Sequence, residues 1–303
     1  MSGTHLRAAV TLDGVDDFVG SISTAALPTG DQPHSMFCWM KTPSSARETI
    51  FSYGLIGARR AASLNVNQTV PSHFQPDFYS EFPDSGCAVN DGRWRHVGYS
   101  YHGGGSITIY VDGEAIDRRL SAPVAIGAGG AGEIGRFVFD AAHYFAGSIA
   151  ELSVWSRALQ TDEVAGVKDH MLSGSEEDLA GYWPLNGDAD DWSGNGGDGT
   201  VYGGTFQQED MSFLAPPEPE DLTRIEGVGP KIAALLKDAG LTTYRLLSIA
   251  TVARLNEILD QAGRRYATAD PTTWAEQASL AAAGRWDELD TLQEDLKGGR
   301  RVS

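Results

Sequence analysis

The chain has 303 residues, of which 41% are hydrophobic and 21% are charged, so it is long enough for two domains with separate cores. Its net charge of −18 disfavours long-range attraction to nucleic acid or anionic membranes. No apolar run approaches the length of a membrane span, and two cysteines are too few for a disulfide scaffold. We therefore expect no membrane insertion. The start of the chain shows no secretory signal, which favours cytoplasmic synthesis.

The first two-thirds of the chain alternates short apolar runs with glycine-rich turns. Apolar alternation of this kind is typical of strands, and Asp112-Gly113 is a hairpin turn because both residues accept positive φ. Regularly spaced short strands predict an all-β sandwich. The predicted strands include Ala8–Leu12, Ser35–Met40, Trp94–Tyr101, Ile107–Val111 and Ser148–Trp155.

A short helix interrupts the strand pattern at Thr161–Leu172. Thr161 is a plausible N-cap, and Asp162 and Glu163 lie in the first turn, where the helix dipole favours negative charge. Strand-like sequence returns at Leu179–Phe206 and extends the sandwich.

A proline- and glutamate-rich segment then separates the strand pattern from a helical one. We expect a multidomain protein with an all-β sandwich at residues 1–214, a stiff linker at 215–221 and a small all-α domain at 222–303. In the last part, Gly240, Gly263 and Gly284 stand where helix C-caps belong.

The strand sequence resembles the laminin-G-like, or concanavalin-A-like, jelly-roll family. The order and spacing of several segments carry the resemblance, which covers roughly residues 5–208. It implies binding of glycans or proteins, often with calcium, and enzymes are a minority of the family. The segments are Leu12–Val19, Phe37–Met40, Gly92–Val97, Ile109–Gly113, Phe145–Leu159, Tyr182–Leu185 and Asp191–Thr200.

Calcium is the cofactor that this resemblance implies. The family's first turn and penultimate strand supply oxygen ligands, which makes Asp13, Asp16, Asp17 and Glu151 the candidate metal ligands. The alternative is that Asp13 and Asp16 shape a turn and that Glu151 is a hydrogen-bonded core acid. The acidic run at 188–191 lacks the pattern of a calcium loop and is interpreted as a surface turn.

A contact surface for a glycan or protein ligand is predicted in the segment 72–79, because recognition residues lie in loops more often than in strands. The candidate ligand-binding residues are His73, Phe74, Asp77 and Tyr79. We expect Trp39, Trp94 and Trp155 to fill the sandwich core instead. The sequence also lacks the alternating carboxylates of glycoside hydrolases, and we expect no enzyme activity.

The segment Leu222–Leu236 is similar to the helix-hairpin-helix family, and it is predicted to form a helix, a Gly-x-Gly turn and a second helix. In that family the backbone amides around the turn, here Gly227 and Gly229 with Lys231, hold phosphate groups. From Pro216 onward the chain has eleven basic residues against fourteen acidic ones, which disfavours nucleic acid. Docking to a protein, or to copies of the chain itself, is therefore preferred.

Together these features predict a non-catalytic binding or assembly protein, with a lectin-like jelly roll displayed through a helical docking module. A filament, a phage-like tail or an injection apparatus released from the cell fits this hypothesis. A lectin acting alone and a nucleic-acid-binding protein are the alternatives.

Overall fold

A computed structural model describes residues 6–140, 142–266, 268–297 and 299–301; residues 1–5 of the predicted sandwich lie outside this range. The chain forms two compact units. The first comprises the described residues up to Met171 together with Glu177–Ala215. The second comprises Leu172–Glu176 and the described residues from Pro216 onward. The short segment 172–176 thus groups with the helices although its sequence neighbours belong to the strands.

The first unit is an all-β sandwich of two antiparallel sheets, as the sequence predicts. One sheet has the strand order β14-β1-β11-β3-β7-β8-β9, with β12 also paired to β11, and the other has the order β13-β2-β10-β4-β5-β6. The strands are β1 (Leu6–Asp13), β2 (Phe18–Ser23), β3 (His34–Lys41), β4 (Glu48–Gly54), β5 (Ala61–Val66), β6 (Phe74–Asp77), β7 (Arg95–Gly103), β8 (Ser106–Val111), β9 (Glu114–Arg119), β10 (Ala131–Ile134), β11 (Ala146–Trp155), β12 (Leu179–Trp183), β13 (Thr200–Tyr202) and β14 (Thr205–Asp210).

Strand β3 shows how the larger sheet is packed on both faces. Met36, Cys38 and Met40 point into the core between the sheets, and Trp39 belongs to a second cluster on the opposite face. Successive side chains of a strand alternate between faces, so a strand that is apolar at every position must be covered on both sides. The cover is the segment around Met211 and Leu214.

Two local predictions in this unit were wrong. Helix α1 (Thr161–Asp169) begins after Gln160, whose backbone N–H donates to Glu163 Oε2 at 2.8 Å, so Thr161 is the first helical residue rather than the cap. Asp191 is buried and accepts hydrogen bonds from the backbone N–H groups of Tyr182 and Gly197. The prediction of a surface turn is thus wrong for Asp191, whereas Asp188 and Asp190 of the same run are exposed.

The second unit is a small helical domain that closes with a short hairpin. Gly240, Gly263 and Gly284 follow helix ends with positive φ, as expected for C-terminal caps. The first predicted helix of the hairpin motif is only a 3-10 turn, Leu222–Arg224. The helices are α2 (Pro230–Asp238), α3 (Tyr244–Ser248), α4 (Val252–Ala262), α5 (Trp274–Ala282) and α6 (Trp286–Glu294), followed by strands β15 (Leu296–Lys297) and β16 (Arg300–Arg301).

The Gly-x-Gly turn is packed against the rest of this unit. Gln277 of α5 brackets Glu226, accepting from its backbone N–H at 2.7 Å and donating to its carbonyl at 3.1 Å. A Cβ atom at Gly227 would lie 2.8 Å from Trp274 Nε1 and 3.0 Å from Gly299 Cα. Gly227 also has φ +93°, a conformation that side chains disfavour. The first glycine of the motif is therefore required for packing.

We predict that Gly227→Ala destabilises the helical unit by about 2 kcal/mol or more, because it adds a left-handed backbone penalty to a steric clash. Gly229→Ser is the matched control, since Gly229 is the N-cap of α2 with φ −78° and serine is favoured there. Urea unfolding of the full chain, followed by amide exchange in the helical unit, measures both. Equal stability of the two variants would contradict this account of the turn.

Candidate functional site

The acidic turn predicted to bind calcium brings together three of its four candidate ligands. Asp13, Asp16 and Asp17 can each place one carboxylate oxygen so that all three lie within 4.8 Å of one another. Oδ1 of Asp13 accepts from the backbone N–H of Val15 at 2.8 Å, which lowers the pKa of Asp13. Partial burial and the charge of Asp13 raise the pKa of Asp17. The turn thus holds like charges close together at the surface.

Glu151 does not join this group. Its carboxylate lies 2.5 Å from the guanidinium of Arg7 and accepts a hydrogen bond from the Tyr182 hydroxyl. The side chain is buried in strand β11, where a carboxylate requires such partners. In the structure Glu151 thus has the surroundings of a hydrogen-bonded core acid, the alternative given above, and stands apart from the three aspartates.

The segment predicted as a recognition loop is largely a strand. Phe74 and Asp77 are buried in β6, so neither side chain is available to a ligand. Burial raises the pKa of Asp77 to about 6. His73 is half-buried and paired with Asp84 at 2.9 Å, and of the four candidates Tyr79 alone is exposed. Pro76 suggested a loop, yet β6 is an edge strand, where proline is tolerated.

The three candidate residues of the Gly-x-Gly turn differ in how exposed they are. Gly227 packs against Trp274 and Gly299, whereas Gly229 and Lys231 lie at the exposed start of α2. The exposed part is small, because Val228 between the glycines is buried.

A cleft of about 590 Å³ lies on the outer face of the larger sheet of the first unit. Aromatic and charged side chains alternate around it. Three aromatic rings contribute, those of Trp39 from β3, Trp94 just before β7 and Phe213 after β14. The full lining is Trp39, Lys41, Gly92, Arg93, Trp94, Asp112, Lys168, Glu209, Asp210 and Phe213.

The aromatic rings are held by the fold. The ring centroids of Trp39 and Phe213 are 4.4 Å apart, and the indole N–H of Trp39 donates to the Lys168 carbonyl at 3.2 Å. Phe213 is 43% exposed, so part of its ring remains accessible beside Trp39. Nε1 of Trp94 is buried without a hydrogen-bond partner in the described part of the chain. The cleft therefore offers apolar faces that are positioned in advance.

Two of the charged residues that line the cleft, Lys41 and Glu209, form an ion pair with each other. Lys41 Nζ contacts both carboxylate oxygens of Glu209 at 2.6 Å and lies 5.5 Å from the Trp94 ring centroid. The hydroxyl of Ser212 lowers the pKa of Asp210, and Arg93 extends into solvent. Fixed donors and acceptors beside aromatic faces are the arrangement that orients a polar ligand in a cleft.

Sequence reasoning assigned Trp39 and Trp94 to the core and did not consider Lys41, Glu209 or Phe213. Alternation in β3 carried a usable signal, because Cys38 and Trp39 must face opposite sides of the sheet. Nothing local in the sequence indicates that Glu209 meets Lys41 across 168 positions.

Comparison with known proteins agrees with the geometry. A sequence model described as the concanavalin A-like lectin/glucanases superfamily matches residues 13–165, half of the chain, and the chain belongs to this superfamily. A second model, the RS2/RL21/YNQ2 HHH domain, matches residues 222–282. Both resemblances noted in the sequence are confirmed, in the same order along the chain.

Individual relatives share only parts of the chain. The rat protein named sushi, von Willebrand factor type A, EGF and pentraxin domain-containing protein 1 is 36% identical over 86 residues, which are 25% of this chain and 2% of that protein. An uncharacterized 22.9 kDa protein in the nqo2 3' region of Paracoccus denitrificans is 35% identical over 65 residues, 22% of this chain and 30% of its own. The chain thus spans a minor part of these curated relatives.

Among solved structures, a candidate carbohydrate binding protein from Bacteroides ovatus aligns with a TM-score of 0.54 at 20% identity. The alignment covers 68% of this chain and 60% of that one. At this identity the likeness establishes the jelly-roll fold. No helix among the described residues has the length and apolarity that crossing a bilayer requires.

Proposed function

We propose that the protein is a non-catalytic carbohydrate-binding protein whose jelly roll holds a glycan in the cleft between Trp94 and Phe213. The observation that carries the proposal is the three-ring aromatic lining, with Phe213 left 43% exposed. Sugar rings have apolar faces that pack on aromatic rings and hydroxyl groups that need donors and acceptors. Lys41, Glu209 and Asp210 supply those polar groups at the same place.

The charges in the cleft support binding rather than hydrolysis. Glycoside hydrolysis uses two carboxyl groups, one of which stays protonated to act as an acid. The lowered pKa of Asp210 makes it a poor proton donor, and Glu209 is engaged in an ion pair with Lys41. The pair that hydrolysis needs is not assembled from these two residues.

Trp94→Ala should weaken retention by the recognised polysaccharide at least about fivefold, because losing one aromatic contact of about 1 kcal/mol has that effect. Affinity gels loaded with xylan, arabinan, mannan or mixed β-glucan, followed by a glycan array, provide the measurement. Tyr202→Ala is the control, since Tyr202 is an exposed aromatic residue that lies outside the cleft lining. Unchanged retention of the Trp94 variant would remove the cleft as the site.

We propose in addition that the turn at Asp13, Asp16 and Asp17 binds calcium. Three carboxylates supply hard oxygen ligands, and water would complete the six to eight that calcium takes. The close approach of the three like charges supports this, because a bound cation would relieve their repulsion.

Addition of 10 mM calcium should raise the melting temperature of the jelly roll, since a ligand that binds the folded state stabilises it. Asp16→Asn should abolish the rise, because Asp16 supplies a carboxylate while Asp13 orders the turn. Asp188→Asn removes an exposed charge elsewhere and should leave the rise intact. A wild-type protein with no calcium response in calorimetry would exclude the site.

The helical unit, in this proposal, attaches the lectin to a protein partner or to further copies of the chain, as part of a particle assembled in the cytoplasm. Its net negative charge and its largely packed hairpin support protein docking over nucleic acid. We expect the native protein to be polymeric in multi-angle light scattering. A monomer that also retains duplex DNA at low salt, with retention weakened by Lys231→Glu, would favour the nucleic-acid alternative instead.

A further inference from the structure

The chain leaves the sandwich unit for the helical unit twice, and each exit closely follows a residue that lines the cleft. The sandwich unit ends at Met171 before the segment 172–176, and again at Ala215 before Pro216. Lys168, three residues before the first exit, and Phe213, two residues before the second, both line the cleft. The same short segments therefore line the cleft and lead to the two exits from the sandwich unit.

The two segments that precede these exits are joined to each other by backbone hydrogen bonds. The Ala215 N–H donates to the Asp169 carbonyl at 2.8 Å, and the Met171 N–H donates to the Ala215 carbonyl at 2.9 Å. His170 and Ala215 form a parallel bridge. We call this assembly, residues 169–171 with 211–215, the clasp.

The clasp and the cleft also share one hydrophobic cluster. Met211 and Leu214 of the clasp pack with Trp39, and Trp94 and Met171 flank the same cluster. Interiors are close-packed, so a change in the packing of Met211 or Leu214 is felt by the Trp39 ring that they contact.

The wall that carries Glu209 and Asp210 is a part of the sandwich suited to local opening. Strand β14 lies at the edge of its sheet, paired with β1. Across the cleft it is tied to β3 by the Lys41–Glu209 ion pair. Edge elements with few cross-connections open at lower free energy than central strands.

We propose that the cleft binds its glycan only when the clasp is closed, so that ligand binding and the order of both connections to the helical unit are coupled. This inference rests on the proposed function of the cleft. A glycan that spans from Lys41 and Trp94 to Asp210 and Phe213 interacts with the closed state and loses half of its contacts in the open one. Coupling is reciprocal, so tension or assembly at the helical unit changes glycan affinity.

The test is a substitution in the clasp that does not line the cleft. Ala215→Pro removes the N–H that Asp169 accepts, whereas Ala215→Gly keeps it. We expect Ala215→Pro to weaken binding of the oligosaccharide selected in the affinity gels by about fivefold or more, within the usual range of coupling between sites. Ala215→Gly should bind like the wild type. In wild-type protein the same oligosaccharide should slow amide exchange at 169–171 and 211–215 together.

A reversible crosslink gives an answer even if Ala215→Pro does not fold. In a Cys87→Ser background, His170→Cys with Ala215→Cys places two thiols at bridge-paired positions, where a disulfide fits. Once oxidised, this variant should bind the oligosaccharide at least as tightly as the wild type, and the sugar should no longer slow exchange in the clasp. Dithiothreitol should restore the response.

The failures are distinguishable. If no polysaccharide retains the wild type, the proposed function is wrong. The clasp can then still be tested by amide hydrogen exchange without ligand. The segments 169–171 and 211–215 should show the same free energy of opening. Different free energies would show that the clasp does not open as a unit. If the sugar binds Ala215→Pro and Ala215→Gly equally, or leaves wild-type exchange in the clasp unchanged, the coupling is wrong and the carbohydrate site stands.

Discussion

The structure depends on the burial of both faces of the larger sheet. Strand β3 is apolar at nearly every position, and its alternate side chains enter two different clusters. One face meets the smaller sheet, as in any sandwich. The other would expose Phe37 and Trp39 to water if helix α1 and the chain after β14 did not cover it. The incomplete edge of that cover is the cleft, so the proposed ligand site follows from the way the second face is buried.

This arrangement explains why aromatic and charged groups meet in one place. The cover must pack on Trp39, which requires apolar residues such as Met211 and Leu214. At its margin the cover meets solvent, and there Lys41 and Glu209 pair across the gap. A partly exposed ion pair of this kind contributes little to stability. Its value lies in holding two polar groups at fixed positions beside the rings.

The sequence predicted the fold well because the fold is encoded locally. Three short-range patterns each favour one local structure: the alternation of apolar residues in strands, the Asp112-Gly113 turn and the glycines at helix ends. The cleft that we propose as the binding site was not predicted, because it is assembled from residues far apart in the chain. His73 and Asp77 looked like loop residues next to Pro76, yet β6 lies at a sheet edge and buries Asp77. Glu151 has a carboxylate that could bind a metal ion, but in the fold this carboxylate contacts Arg7 and Tyr182. In both cases register and sheet order, which short patterns do not specify, decided the outcome.

The contact among Gly227, Trp274 and Gly299 also bears on where this domain ends. The recognised helix-hairpin-helix region ends at residue 282, whereas Gly299, which packs against both the turn and the Trp274 indole, comes seventeen positions later. A truncation at residue 282 would remove this neighbour and uncover one side of the turn. The folding unit therefore extends to the closing β-hairpin, and a shortened domain needs that tail to keep its turn packed.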